Sequence, residues 1–489
     1  MMVQKSGRSF DDRLQEAIRG YEVVKSLRHA SKVMFLDQEE KMPKGGINAR
    51  ANAMGDVEVV IREKLLALEN KIEGLEGRND IEKGIIKEFW SEIVYAKSLP
   101  EELIREMEVK SSTTSEVWKV AKKRSNFKLV QPDLERIVEM KRSAAEHLGY
   151  NEHPYDALVD LFEHEMTVKQ MDAIFDTLLP NLKRIREKAN MREEHPLEQL
   201  EHSKPGMRRI ARELEKMLNI SSDNFRKGIS EHPYTVSLDL KDVRITTGYH
   251  KRDFKQGLFD GLHELGHALY ALQIDQRIKD TPAEDDASFG IDESQSRFWE
   301  NIVGHSESFV RMLHPFLVKH LKITDSPEEV YSYFNLLKHD AVIRMASNEL
   351  EYDLHIALRY RIEKGLIGGD IKVSELPQVW NEYMLKYIGI KPANDREGVL
   401  QDMHWYTGDF GYFPTYTIGN IVSGMIWKKI GNLDELIEQK RFDYIRLWLG
   451  ENIHQYGAMY NPKKLLQNVF RKDYNADDYI EYLEQKYIR

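Results

Sequence analysis

With 489 residues, 41% of them hydrophobic, the chain can bury roughly three domains' worth of core and is too apolar to be mainly disordered. Lys and Arg total 71 against 81 Asp and Glu, a net charge of −10 that lacks the basic footprint of most nucleic-acid binders. There is no cysteine, which excludes thiolate catalysis, cysteine-held zinc and disulfides together, and no apolar run nears the roughly 18 residues of a membrane span. The first twenty residues, MMVQKSGRSFDDRLQEAIRG, carry no apolar segment behind their basic positions. They are not a secretory leader, and the cytoplasm is the expected compartment. Charged residues at 31% without cysteine suit a thermostable protein, and equally an ordinary acidic one.

Sparse proline and glycine predict a mainly α fold. Helical periodicity runs through Val57 to Leu75, Leu134 to Leu148 and Arg208 to Leu218. It also covers Ile174 to Ala189, where Pro180 is expected to kink or split the helix. Breaks fall at Met42 to Gly46, at His153-Pro154-Tyr155 and at Ser203 to Gly206. Tyr234 to Tyr249 changes period: its β-branched residues flank a Leu-Lys-Asp turn and predict a short β-hairpin beside a cleft. A helix follows over Asp253 to Gln273, and another over Ser294 to Leu313, opened by Glu293 and ending before Pro315.

The first of these two helices carries His263-Glu264-Leu265-Gly266-His267. Residues four apart share a helix face, so both imidazoles can hold one Zn²⁺ while Glu264 takes a proton from an attacking water. A third protein ligand is expected. The position six residues after His267 is Gln273, so the third-histidine subclass is excluded, and with no cysteine a carboxylate from a following helix is the natural candidate. The choices are Glu284, Asp285, Asp286, Asp292, Glu293 and Glu300. Glu284 to Asp286 reads as a solvated loop. Glu293, in an inward-facing first turn, is the first candidate and Glu300 the second.

The blocks DVRIT (Asp242 to Thr246), HELGH, ESQSRFWEN (Glu293 to Asn301), IRMASNELEY (Ile343 to Tyr352) and GVLQDMHW (Gly398 to Trp405) stand in this order. Flanking them are LDQEEKMPKGG (Leu36 to Gly46), HPYT (His232 to Thr235) and FGYFPTYTIGN (Phe410 to Asn420). Together they resemble the signature blocks of the thermostable carboxypeptidase (carboxypeptidase Taq) family of metallopeptidases, from near residue 30 to the C-terminus. The resemblance implies one helical, two-lobed peptidase unit over residues 1–489 with a deep cleft, and a metal-binding core at about 234–420. It further implies a homodimer that removes single residues from peptide C-termini with broad specificity, using one zinc or sometimes cobalt ion. His263, His267 and Glu293 match the family's metal ligands, and Glu264 its general base. Two departures bear on substrate preference: Asp292 stands where the family usually has His, and Ser347-Asn348 where it has Ala-Asp.

Amide hydrolysis also needs an oxyanion donor, and a carboxypeptidase needs a cation for the terminal carboxylate. His404, Tyr412 and Tyr416 are the candidate donors; related helical peptidases pair a His with a Tyr ten to twelve residues later, the interval from His404 to Tyr416. Arg344 and Arg244 are the candidate anchors, Arg344 first, because Asp242 lies two residues from Arg244 on one strand face. Gln401 is grouped with the substrate-binding residues, and Gln401 and Asp402 are expected to orient His404. The expected partner is a peptide with a free C-terminus, not nucleic acid or membrane. The alternatives are a zinc endo-oligopeptidase or dipeptide-releasing enzyme, and a helical scaffold with a structural metal.

Overall fold

The computed structural model describes residues 10–192, 194–230, 233–338 and 342–488. Residues 1–9 of the N-terminal segment and His232 of the HPYT block lie outside them. The fold is mainly helical, and no helix among the described residues is long and apolar enough to cross a membrane. Helix Phe10–Glu40 turns back through Lys44–Gly46 into Ile47–Leu66. The single helix expected at Val57 to Leu75 is thus two, the second being the short Glu69–Ile72. Gln131–Leu148 and Lys204–Met217 contain the other two predicted stretches.

Pro180 does not split its helix and Pro315 does not end its own, for one reason. Pro180 lies within the continuous helix Val168–Lys188, and Pro315 within Glu307–Leu321. Each ring is exposed, so the carbonyl it leaves unpaired faces water while Phe175, Leu178 and Leu182, or Val310, Leu313 and Leu317, pack the opposite side. The helix expected from Ser294 to Leu313 is also corrected. It begins at Phe289, runs to Arg297, continues as a π-helical turn over Phe298–Val303 and stops before Ser306 caps the next helix. Glu293 therefore sits in the second turn, not the first.

The hairpin forms as β2 (Thr235–Asp239) and β3 (Asp242–Thr247), antiparallel with a bulge between Ser237 and Asp239. A third strand, β1 (Phe225–Ile229), pairs parallel with β3 to give the order β1-β3-β2. Its sequence FRKGI buries only Phe225, too little pattern to announce a strand.

Two central helices carry the cleft wall. Glu349–Gly368 is buried around nearly its whole circumference, including Glu351, Asp353, His355, Arg359 and Glu363. Phe413–Ile430 is buried from Phe413 to Ile426 apart from Tyr416. Such faces are tolerated because each buried charge has partners: Glu363 accepts from Trp405 Nε1 (2.6 Å), Gly411 N (2.9 Å) and the Tyr155 hydroxyl, and Asp353 from Thr417 Oγ1 (2.7 Å) and Asn420 Nδ2 (3.1 Å). Between these helices, β2 and the helices that follow the sheet lies a cleft of about 900 Å³.

Candidate active site

Helix Phe254–Gln273, capped by Asp253, presents His263, Glu264 and His267 to the cleft. Gly266 brings the next helix against it: a Cβ there would lie 2.6 Å from Gln295 O and Ser296 Cα. Gly419 does the same from the other side, since its Cβ would meet Glu293 Cγ at 2.6 Å. Glu293 is thus pressed between two helices whose glycines allow the approach.

The result is convergence. His263 Nε2 and His267 Nε2 lie 3.3 Å apart, and Glu293 Oε2 is 3.6 and 3.5 Å from them. One ligand atom from each residue lies within 4.8 Å of the others. Behind the imidazoles stand two carboxylates: Glu300 Oε2 is 2.8 Å from His263 Nδ1, and Asp292 Oδ2 is 2.7 Å from His267 Nδ1. A carboxylate at Nδ1 holds its proton and leaves the Nε2 lone pair for a metal. Arg297 Nε donates to Glu293 Oε1 at 2.7 Å and Ser296 Oγ to Oε2 at 2.9 Å. This donor set fits a divalent metal: two neutral nitrogens and one carboxylate oxygen, each fixed from behind. Glu300, the second candidate ligand, is instead on the far side of the His263 ring. The Glu284 to Asp286 cluster is not a solvated loop either, because Glu284 accepts from Lys25 of the first helix at 2.9 Å and Asp286 lines the cleft.

Charges follow from this packing. Burial would raise Glu293, but Arg297 and the two imidazoles outweigh it and hold the carboxyl well below the ordinary range. Glu264 goes the other way, raised by burial although both imidazoles oppose the shift, and its Oε2 accepts from Thr235 Oγ1 at 2.6 Å. Burial alone would lower His267, yet Asp292 and Glu293 raise it well above the ordinary 6.5; His263 is raised similarly by Glu293 and Glu300.

The structure sorts the remaining candidates. Tyr412 and Tyr416 line the cleft; His404 is one layer behind, with Nε2 3.3 Å from the Tyr416 hydroxyl. Burial, then Arg344, pushes His404 down to about 3, so it is neutral, and the same burial raises the Tyr416 phenol, which keeps its proton. Arg344 lines the cleft but is only 3% exposed. Its Nε and Nη2 donate to Asp402 Oδ1 at 3.0 and 2.9 Å, and Nη1 to the Tyr352 hydroxyl at 2.7 Å. Arg359 also binds Asp402, through Nε at 2.7 Å, so one carboxylate serves two guanidiniums. Asp402 joins no hydrogen bond to His404 among the described residues.

Two of the residues expected to bind substrate lie outside the cleft lining. Gln401 is buried with Oε1 accepting from Arg344 N (3.0 Å) and Arg359 Nη2 (2.7 Å), and Nε2 donating to Val342 O and Glu397 O. It positions both arginines, lies outside the cleft lining and joins no hydrogen bond to His404 among the described residues. Arg244 is exposed on β3, outside the cleft lining, and binds Asp242 at 2.8 and 2.7 Å as a strand-surface ion pair. Asn348, where the resemblance leads one to expect Asp, caps helix Glu349–Gly368, its Oδ1 accepting from Leu350 N and Glu351 N. Sequence reasoning missed Arg297, Thr235 and Tyr352. Arg297 was the most accessible of these, four residues after Glu293 on the same helix.

Comparison with known proteins bears on this geometry. The profile of the carboxypeptidase Taq (M32) metallopeptidase family matches residues 14–487. Thermostable carboxypeptidase 1 of Pyrococcus furiosus is 37% identical over 494 residues, covering 98% of this chain and 99% of that protein. Carboxypeptidase 1 of Bacillus subtilis is 31% identical, covering 96% and 97%. A structure of the Pyrococcus furiosus carboxypeptidase superposes with a TM-score of 0.91 over 99% of this chain and 100% of that one. The metal-capable cluster, its cleft and nearly the whole chain thus fall within one set of relatives, and the chain belongs to the carboxypeptidase Taq (M32) family of metallopeptidases.

Proposed function

We propose that this metallocarboxypeptidase uses zinc held by His263, His267 and Glu293 to hydrolyse the last peptide bond of peptides with a free C-terminus, releasing single residues. The observation that carries the reading is the meeting of three ligand atoms within 4.8 Å beside a buried glutamate. When bound, the metal supplies Lewis acidity to water and to the scissile carbonyl. The two-nitrogen, one-oxygen donor set suits zinc, and cobalt accepts the same set. The family resemblance supports a homodimer.

The chain's own groups do the rest. Glu264, aimed by Thr235, takes the water's proton and returns it to the leaving amine. Tyr416, kept protonated, donates to the developing oxyanion, with Tyr412 next to it. His404 is a positioning residue that sets the Tyr416 hydroxyl from behind. At Arg344, three of five N–H groups are engaged by Asp402 and Tyr352, which leaves one on each terminal nitrogen for a substrate carboxylate. Two arginines on Asp402 leave that corner with a net positive charge, which favours an incoming anion.

A mass-spectrometric time course on a peptide mixture tests this directly. A ladder losing single C-terminal residues, abolished by chelator, is expected. Internal fragments or released dipeptides would overturn it in favour of an oligopeptidase. Ligand roles separate by metal titration: Glu293→Ala, which deletes a ligand, weakens zinc binding most, whereas Glu300→Ala costs about 10- to 100-fold through the His263 ring. A Glu300→Ala variant weaker than Glu293→Ala would reverse the assignment. Zinc affinity should also rise with pH through neutrality, by about tenfold per unit for each proton displaced, because the raised imidazoles must lose protons to bind. A flat profile would contradict that charge state.

A further inference from the structure

We propose that Phe289 selects the substrate side chain on the acyl side of the scissile bond, favouring a large apolar or aromatic residue there. The inference rests on the reading of Arg344 as carboxylate anchor, because the anchor sets the direction of the bound peptide.

Phe289 is a large aromatic left 49% exposed inside the cleft, whose other Phe and Tyr side chains are buried or half-buried. It is not loose. Its ring meets Phe162 and Tyr412 edge-on at centroid distances of 5.2 and 5.5 Å, and its N–H donates to Phe162 O at 3.1 Å. The helix start around it is pinned by the buried Glu163 carboxylate, which accepts from Ser288 Oγ and Gly290 N, both at 3.0 Å. A rigid, half-open aromatic face binds at little entropic cost.

Its place along the cleft follows from the helix. Phe289, Glu293 and Arg297 recur at four-residue steps and all line the cleft. At 1.5 Å per residue, Phe289 lies about 6 Å before Glu293 and Arg297 about 6 Å after it. The Arg297 guanidinium sits 4.2 Å over the Tyr352 ring, and the Tyr352 hydroxyl accepts from Arg344. The anchor therefore belongs to the Arg297 end. An aromatic wall runs the same way, from Phe289 to Tyr412, then Tyr416 at 5.3 Å and Tyr352 at 6.0 Å. A peptide with its carboxylate at Arg344 and its scissile bond at Glu293 continues upstream toward Phe289. Extended chain advances about 3.3 Å per residue, so Phe289 faces the first or second residue on the acyl side.

The test measures kcat/KM on acetylated tripeptides Ac-Gly-Xaa-Ala, with Xaa as Gly, Ala, Leu or Phe, for wild type, Phe289→Ala and Phe289→Leu. Wild type should prefer Phe over Gly by about 10- to 100-fold. Phe289→Ala should bring that ratio within about threefold, with Phe289→Leu between the two. Metal content and melting temperature report whether each variant is folded, and the leucine variant preserves the packing if alanine does not. An unchanged ratio, or an equal loss on every substrate, overturns the proposal by making Phe289 structural. A change in the Ac-Gly-Ala-Xaa series instead of the first would place Phe289 on the leaving side and overturn it too. Amidated versions read the anchor separately: equal cleavage of acid and amide defeats the Arg344 reading, whereas an unmoved Xaa ratio defeats Phe289 alone.

Discussion

Glu264→Gln is expected to lose at least about 10²-fold in kcat while the protein keeps its full metal content. The amide is nearly isosteric, and its oxygen can still accept from Thr235 Oγ1, which lies 2.6 Å from the carboxylate in the native site. What it cannot do is take a proton from water. His263, His267 and Glu293 are held by Glu300, Asp292 and Arg297, and Glu264 by Thr235, so metal binding should not follow the loss. Elemental analysis and peptide turnover on one preparation make the comparison. A metal-loaded Gln variant with native turnover would remove Glu264 from the reaction. A variant that lost both metal and activity would mean that residue 264 supports the metal site itself.

How much of this site was legible in the sequence depends on how local each contact is. HELGH writes its own geometry, because two imidazoles four residues apart on a helix must share a face. The glycine inside it was legible as a motif letter, but its reason is tertiary: Gln295 and Ser296 of another helix fill the space a methyl would need. Glu293 was the first candidate before its block was matched, yet its setting was misread: the local cap Ser288 that opens the helix at Phe289 went unread, and nothing local marks the π-helical turn that follows. Asp292 and Glu300 were weighed as ligands because acidic residues near a metal motif all look alike in one dimension. Only the ring orientation shows that they face Nδ1 and not the metal side. The Arg244–Asp242 pair was legible, a contact between strand neighbours two apart, although Arg244 was still kept as the second candidate anchor. Gln401 was misread because its partners, Arg344 and Arg359, lie 57 and 42 residues away. Polar side chains of that kind reveal their work only once the chain has folded.

Arg344 carries the other large expected effect, and the structure sharpens its test. The guanidinium is already aimed by Asp402 and Tyr352, so a substrate carboxylate meets a preorganised cation in a nearly dry corner. Losing one partner of such a pair typically costs about 2–5 kcal/mol, so Arg344→Ala should lower kcat/KM on free-acid peptides by roughly 30- to several-thousand-fold. Wild type should show a comparable penalty on C-terminally amidated peptides, and the variant should hardly distinguish acid from amide. Arg344→Lys should recover only part, because a point charge cannot bind Asp402 and substrate through one planar fork. The alanine variant also leaves Asp402 paired with Arg359 alone, so the corner loses its excess positive charge along with the anchor. Stability can fall for that reason and for the cavity, but stability does not set the acid-to-amide ratio. The four-way comparison of two enzymes and two substrates therefore isolates recognition. If the variant prefers the free acid as strongly as wild type, Arg344 is not the anchor. Arg244 does not replace it, since it lies outside the cleft. The next cations to test are Lys255 and Lys338, which line the cleft and donate to Tyr333 O and Glu198 respectively.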